Sequence, residues 1–277
     1  MSPDTLTAQT LGPGDVADAL ALSDATGWNQ SAADWAVFIG HGHVRGRRSA
    51  DGALIATGAA LPYGQGQGWV SMVLVSPAFR HRGLASELLN EGVDWLRQAG
   101  LTPVLDATPA GAQVYRRLGF VPGLQFQRWE GMATAASAVA EKLRAADLEH
   151  IATLDAAASR VGRRFLLQDF LSRPGTQARM SPDGSGFVIS RAGRRATQLG
   201  PLVATDECAA LALLSVALDA IAGPVFLDLP LRWAALADAL QQRGFSTQRP
   251  FVRMALGDAP ALAGSEQLFV VAGPEFG

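Results

Sequence analysis

Residues 73–89 read VLVSPAFRHRGLASELL, and the fold turns on how this stretch is parsed. Val73-Leu74-Val75 has the character of an apolar strand, Arg80-His81-Arg82-Gly83 of a short basic turn, and a helix is expected from Gly83 or Leu84. Its apolar positions, Leu84, Leu88, Leu89, Val93 and Leu96, keep close to a helical period. Gly100 then suits the left-handed position that closes a helix. A turn of this kind aims backbone N–H groups outward at the positive end of a helix, and Arg80 and Arg82 add charge. That combination suits a pyrophosphate, with Gly83 removing the Cβ that would obstruct its approach.

Working outward, the chain has 277 residues, which predicts two domains of about 130–140 residues each. With 48% hydrophobic and 17% charged residues it is a packed globular protein. A net charge of −2 argues against a nucleic-acid surface. Lys142 is the sole lysine, as a strong codon bias would give. One cysteine, Cys208, cannot form an internal disulfide, and the start Met1-Ser2-Pro3-Asp4 has no signal-peptide pattern. Residues 209–227 are apolar, but Asp219 and Gly223-Pro224 interrupt them, so a buried helix followed by a strand is expected and not a membrane span. A cytoplasmic location follows as the default, with no membrane or nucleic-acid partner and no metal site.

The chain also repeats itself. The first half reads as a strand over Thr5–Leu11, helices from Pro13 to Ile39, and a hairpin turn at Asp51-Gly52. Strands follow over Ala53–Leu61, Trp69–Val75 and Pro103–Ala107, then a helix over Pro109–Leu118 and a strand over Leu124–Trp129. The second half has helical patterning over Lys142–Leu171, a turn at Asp183-Gly184, and strands over Phe187–Arg191 and Ala196–Val203. Leu227-Asp228 echoes Leu105-Asp106, Arg243-Gly244-Phe245 echoes Leu118-Gly119-Phe120, and GFSTQRPFVRMALG echoes GFVPGLQFQRWEG. A duplication with α/β halves built on mixed sheets is the reading, with domains at 1–132 and 133–277 and an Ala-rich helical join over Thr134–Ala146. The second copy lacks the loop: Val203 is followed by Ala204-Thr205-Asp206-Glu207, two acids where phosphates would lie.

Arg80-x-x-Gly83-x-Ala85 after a Val-x-Val-x-Pro run, with Tyr115-x-x-x-Gly119-Phe120 downstream, resembles the GNAT N-acetyltransferases. The resemblance rests on residues 60–130 and on element order elsewhere. It extends to the two-domain arrangement in which a GNAT domain precedes a degenerate GNAT-like one. It implies an acetyl-CoA-dependent N-acetyltransferase acting directly on the amine of a small molecule, as a monomer or homodimer. The implied acetyl-CoA contacts are Val73, Val75, Arg80, His81, Arg82, Gly83, Leu84, Ala85 and Ser86. The backbone N–H of Val75 would polarise the thioester carbonyl, and Tyr115 would be the general acid. Leu240 stands at the tyrosine position of the second copy, and Thr108 where the family more often has asparagine.

The general base stays open. No carboxylate lies on Trp69–Val75, leaving relay through Ser71 or backbone carbonyls; Asp106 recurs as Asp228 in the copy without a site, which favours a structural role. His41 and His43 read as exposed loop residues. Acceptor contacts are expected from Trp28, Asn29 and Ser71. Two rivals stand beside the small-molecule enzyme: an acyl-CoA-binding sensor that does not turn over, and a protein N-acetyltransferase.

Overall fold

The computed structural model describes residues 6–135 and 147–277, so most of the expected helical join lies outside the described residues. The chain forms two compact units, residues 1–104 and 105–277.

In the first unit β1 (Thr7–Thr10), β2 (His43–Arg48), β3 (Leu54–Pro62) and β4 (Gln67–Val75) form an antiparallel sheet. Helices α1 (Val16–Ala25) and α2 (Ala32–His41) fill the connection between β1 and β2. Helix α3 (Leu84–Gln98) carries the chain over to β5 (Thr102–Ala107), which starts parallel to β4. The periodic residues Leu84, Leu88, Leu89, Val93 and Leu96 are all buried on the face of α3 turned to the sheet. Burying a leucine side chain contributes about 1.5–3 kcal/mol, so this face fixes the helix. Gly58 and Gly68 let it approach, because a Cβ at either would press on Leu88 or Leu96. Arg45 and Arg47 of β2 add ion pairs to Glu91. The helix closes as expected: Gly100 is left-handed, with Gly100 N–H on Arg97 O and Leu101 N–H on Leu96 O.

Strand β2 was not expected, and it corrects the reading of His43 as a loop residue. His43 opens the strand and stacks on Trp95 at 5.3 Å, where burial pushes its ring below the ordinary histidine value. His41 is exposed as expected, but it is the last residue of α2 and not part of a loop.

The second unit holds the end of β5, then α4 (Pro109–Arg117), β6 (Val121–Ala133), α5 (Leu148–Ser159) and α6 (Arg164–Ser172). Strands β7 (Gln177–Met180), β8 (Phe187–Arg191) and β9 (Thr197–Val203) follow. The chain ends with α7 (Glu207–Asp219), β10 (Gly223–Pro230), α8 (Ala234–Gln242), β11 (Ser246–Ala255) and β12 (Leu268–Val270). The apolar run 209–227 is thus a helix and a strand. The sheet order is β5-β11-β6-β10-β9-β8-β7, with β12 on β9.

This order shows that the repeat and the compact units have different boundaries. Strand β6 closes the first sequence copy, yet it is bonded on one side to β10 and on the other to β11, both from the second copy. The repeat divides at 132/133, whereas the compact units divide within β5. Side chains mark the same exchange. Arg128 of β6 makes two bonds to Asp228 of β10, at 2.9 and 2.8 Å. Arg253 of β11 makes two to Asp106 of β5, at 2.9 and 3.0 Å. All four side chains are buried. Asp106 and Asp228 hold equivalent repeat positions, as do Arg128 and Arg253, so each copy's aspartate clamps the other copy's arginine.

Breaking a buried, bidentate pair on one side leaves an unpaired charge in the interior. Asp228→Ala and Asp106→Ala should each lower the unfolding free energy by about 3–5 kcal/mol in urea titrations. Losses under about 1 kcal/mol would show that the clamps do not hold the exchanged strands.

Candidate functional site

The end of β4 sets the site. Ser76 N–H bonds Ile55 O at 2.8 Å, and Val75 stands opposite Ala56 one position earlier. In an antiparallel ladder bonded and non-bonded pairs alternate, so the N–H and C=O of Val75 point away from β3. On that other side β5 pairs with β4 over Gln67–Trp69, and β4 runs on past this pairing to Val75. A bulge helps re-aim it: the register with β3 shifts between Thr57 and Ala59, Met72 takes a positive φ, and Thr57 Oγ1 bonds Met72 O at 2.9 Å.

A single 3-10 turn over Pro77–Phe79 leads from the strand to the loop. His81 (φ 62°) and Gly83 (φ 84°) are both left-handed. A Cβ at Gly83 would meet only the Glu87 side chain, at an ordinary contact distance of 4.0 Å, so its backbone conformation, more than crowding within the chain, demands glycine. The N–H groups of Leu84 and Ala85 begin α3 and have no carbonyl a turn earlier within the helix. Arg80 folds back, its Nε donating to Val75 O at 3.2 Å. Arg82 instead lies over the Phe79 ring at 4.9 Å.

These elements enclose a cavity of about 490 Å³. Val73, Val75, Arg80, His81, Gly83, Leu84, Ala85 and Ser86 line it, as does Trp28. Of the expected cofactor contacts only Arg82 falls outside the lining. Thr26 is a lining residue that the sequence reading missed. Its neighbours explain its position: Gly27 is left-handed, Gly27 N–H bonds Asp24 O, and Trp28 N–H bonds Ser23 O. This closure of α1 holds Thr26 and Trp28 at the cavity. Asn29 is buried and is not part of the lining, and neither is Ser71. The Ser71 hydroxyl is buried with no hydrogen-bond partner among the described residues.

Tyr115 belongs to the second unit. It sits in the last turn of α4, whose start Thr108 caps by accepting Gly111 N–H at 3.4 Å. A threonine thus does the capping work at the position where asparagine was expected. The Tyr-x-x-x-Gly-Phe spacing is itself a helix closure: Gly119 is left-handed, Phe120 N–H bonds Tyr115 O at 3.0 Å, and the two rings lie 5.9 Å apart. The second copy builds the same closure with Leu240, Gly244 and Phe245, so the closure does not need a hydroxyl. Among the described residues the Tyr115 hydroxyl has no hydrogen-bond partner, and burial pushes its pKa up.

Asp106 is not free to act as a base, since Arg253 takes both its oxygens. In the second copy Asp206 caps α7 by accepting Ala209 N–H at 2.9 Å, the use expected for an acid there. The strand edge corresponding to Val75 is filled as well. Strand β9 pairs with β10 only as far as Leu199, after which β12 takes over, with Leu268 opposite Val203 and Val270 opposite Leu202. Among the described residues no group of His, Cys, Asp and Glu could hold a metal ion.

Comparison with known proteins agrees with this geometry. Residues 22–120 match the model described as the acetyltransferase (GNAT) family, and residues 151–270 that described as an acetyltransferase (GNAT) domain. A Pyrococcus horikoshii protein assigned as an acetyltransferase has a similar fold, with 18% identity and a TM-score of 0.82 over 100% of this chain and 98% of that one. A tandem GNAT protein from the clavulanic acid biosynthesis pathway is 14% identical, with a TM-score of 0.64 over 92% of this chain and 100% of that one. A GCN5-related N-acetyltransferase from Sphaerobacter thermophilus is 18% identical, with a TM-score of 0.62 over 92% and 96%. No curated protein matches the sequence.

Because the hydroxyl of Tyr115 bonds nothing among the described residues and the closure works with leucine, Tyr115→Phe should change the unfolding free energy by less than about 0.5 kcal/mol. Urea titration measures this, and a loss above about 1.5 kcal/mol would make the hydroxyl structural.

Proposed function

Because the chain belongs to the GNAT acetyltransferase family, with one such domain in each half, and is an acyltransferase, we propose that it acetylates the amine of a small molecule from acetyl-CoA. One observation carries this reading: the N–H of Val75 is turned away from β3 on a strand that leads directly into a left-handed, arginine-flanked helix start.

Acetyl-CoA supplies the activated acetyl thioester. Arg80, His81 and the free N–H groups at Leu84 and Ala85 suit its pyrophosphate, and the Val73 and Val75 backbone suits the amides of its arm. In this reading Val75 N–H holds the negative charge that develops on the carbonyl oxygen as the amine attacks, a preorganised donor that needs no side chain. Tyr115 holds the proton for the departing thiolate; its raised pKa and unengaged hydroxyl support that role. Trp28, which lines the cavity, is assigned to the acceptor. A cytoplasmic location belongs to the proposal; among the described residues no helix is long and apolar enough to cross a membrane.

Calorimetry should find one acetyl-CoA per chain, and Gly83→Val or Arg80→Glu should weaken it at least about tenfold, the worth of one charge-assisted contact. Two equivalent sites, or unchanged affinity in both variants, would overturn the loop assignment. Against a panel of amines, Tyr115→Phe should lower turnover by about 10–10³-fold with acetyl-CoA affinity unchanged. An acid must be protonated to act and its activity is lost as pH rises through its pKa. Since burial raises the phenol above 10.0, the alkaline limb of kcat should lie above that value. Tight acetyl-CoA binding with no amine acetylated would favour the sensor reading.

A further inference from the structure

Arg249 is a cation of the second unit that no acid pairs with among the described residues. It stands directly opposite Arg128 across the β11–β6 pairing, two residues from the Phe251–Phe126 pair, whose rings stack at 5.3 Å. Directly opposed residues share a face, so two like charges meet on this surface. Both guanidiniums lie against the Phe251 ring, at 5.3 Å for Arg249 and 5.7 Å for Arg128. Arg128 is neutralised by its two bonds to Asp228. Arg249 is not: its Nε is buried without a hydrogen-bond partner, and it makes no ion pair among the described residues.

The acids that act on it from a distance are engaged elsewhere. Asp228 is held by Arg128 and Gln198, Glu275 by Arg191, and Glu130 by Gln248. Burial, and then the charge of Arg128, push the Arg249 pKa down, so its charged form gains from any anion brought beside it. The repeat shows that the fold does not require an arginine here. Counting from the glycines that close α4 and α8, Gly119 and Gly244, Arg253 corresponds to Arg128 and Phe251 to Phe126, but Arg249 corresponds to Leu124.

We infer that Arg249 anchors a binding site for a small organic carboxylate on the face shared by β6 and β11. A guanidinium offers parallel N–H donors matched to the two oxygens of a carboxylate, and an anion here would relieve the repulsion from Arg128. The inference does not rest on the proposed acetyl transfer, and acetyl-CoA binding on the same samples keeps the two readings separable.

The test titrates the wild-type protein, Arg249→Gln and Arg249→Leu with succinate and with benzoate at constant ionic strength, with inorganic phosphate and chloride as controls. Calorimetry and thermal melting are read, together with acetyl-CoA affinity. One carboxylate should bind the wild type saturably, one per chain, and raise its melting temperature. Both variants should weaken that binding at least about tenfold. Without ligand, Arg249→Leu should melt no lower than the wild type, because it removes an unpaired charge and restores the residue of the first copy. The proposal is overturned if neither carboxylate saturates the wild type, if both variants bind as well as it does, or if phosphate binds and carboxylates do not. A Leu variant that melts several degrees lower without ligand would likewise overturn it, making Arg249 a structural residue.

Discussion

Backbone N–H and C=O groups at the edge of a buried strand need partners, and this requirement shapes both halves of the protein. In each half a strand that begins parallel to its neighbour runs on past that pairing. In the first half the strand is β4, whose parallel pairing covers Gln67–Trp69 while Val75 faces away from β3. In the second it is β9, whose parallel pairing ends at Leu199. The chain resolves the second case internally, with β12 bonded along Leu202 and Val203. It leaves the first unfilled beside the left-handed, arginine-flanked loop, the edge proposed for acetyl-CoA. One constraint therefore separates the two copies. The acids at Asp206 and Glu207 complete the difference by giving α7 a cap where α3 has a glycine in a left-handed turn.

Strand β11 and its first-copy counterpart β6 are exchanged between the copies, and the two clamps Arg128–Asp228 and Asp106–Arg253 lock the exchange. Each clamp desolvates both partners, so its value lies in specificity of pairing more than in net stability. A β6 shifted by one residue along β10 would turn Arg128 to the opposite face, away from Asp228 and into the apolar layer that holds Trp129.

Much of the site was legible because its signals are local. A strand, a basic turn, Gly83 and the period of α3 occupy one short stretch, and each obeys a backbone rule that does not depend on distant contacts. The Tyr115–Gly119–Phe120 spacing was equally readable, and the structure explains it as a helix closure that leaves the hydroxyl spare. Features that depend on distant partners were not legible. Asp106 could be read as structural from its recurrence at Asp228, but nothing local shows that each aspartate is held by the other copy's arginine. Strand β2 carries Arg45, Arg47 and Arg48, and no strand was read there; these arginines turn to Glu91 on α3 and to Asp15 and Asp18 at the start of α1. Strand β12 is too short to announce itself, and its meaning comes from the edge it fills. The compact units were not legible for the same reason, since sequence repeats follow duplication while compact units follow strand pairing.

The central claim is that acyl-CoA chemistry belongs to the β4 edge and its loop, and that β12 denies the equivalent edge to the second copy. Hydrogen exchange of the full chain with and without acetyl-CoA tests it most directly. The account predicts slowed exchange of backbone amides over Val73–Ser86 and unchanged exchange over Leu202–Ala209. Protection over Leu202–Ala209, or bound acetyl-CoA without protection at Val73–Ser86, would contradict it.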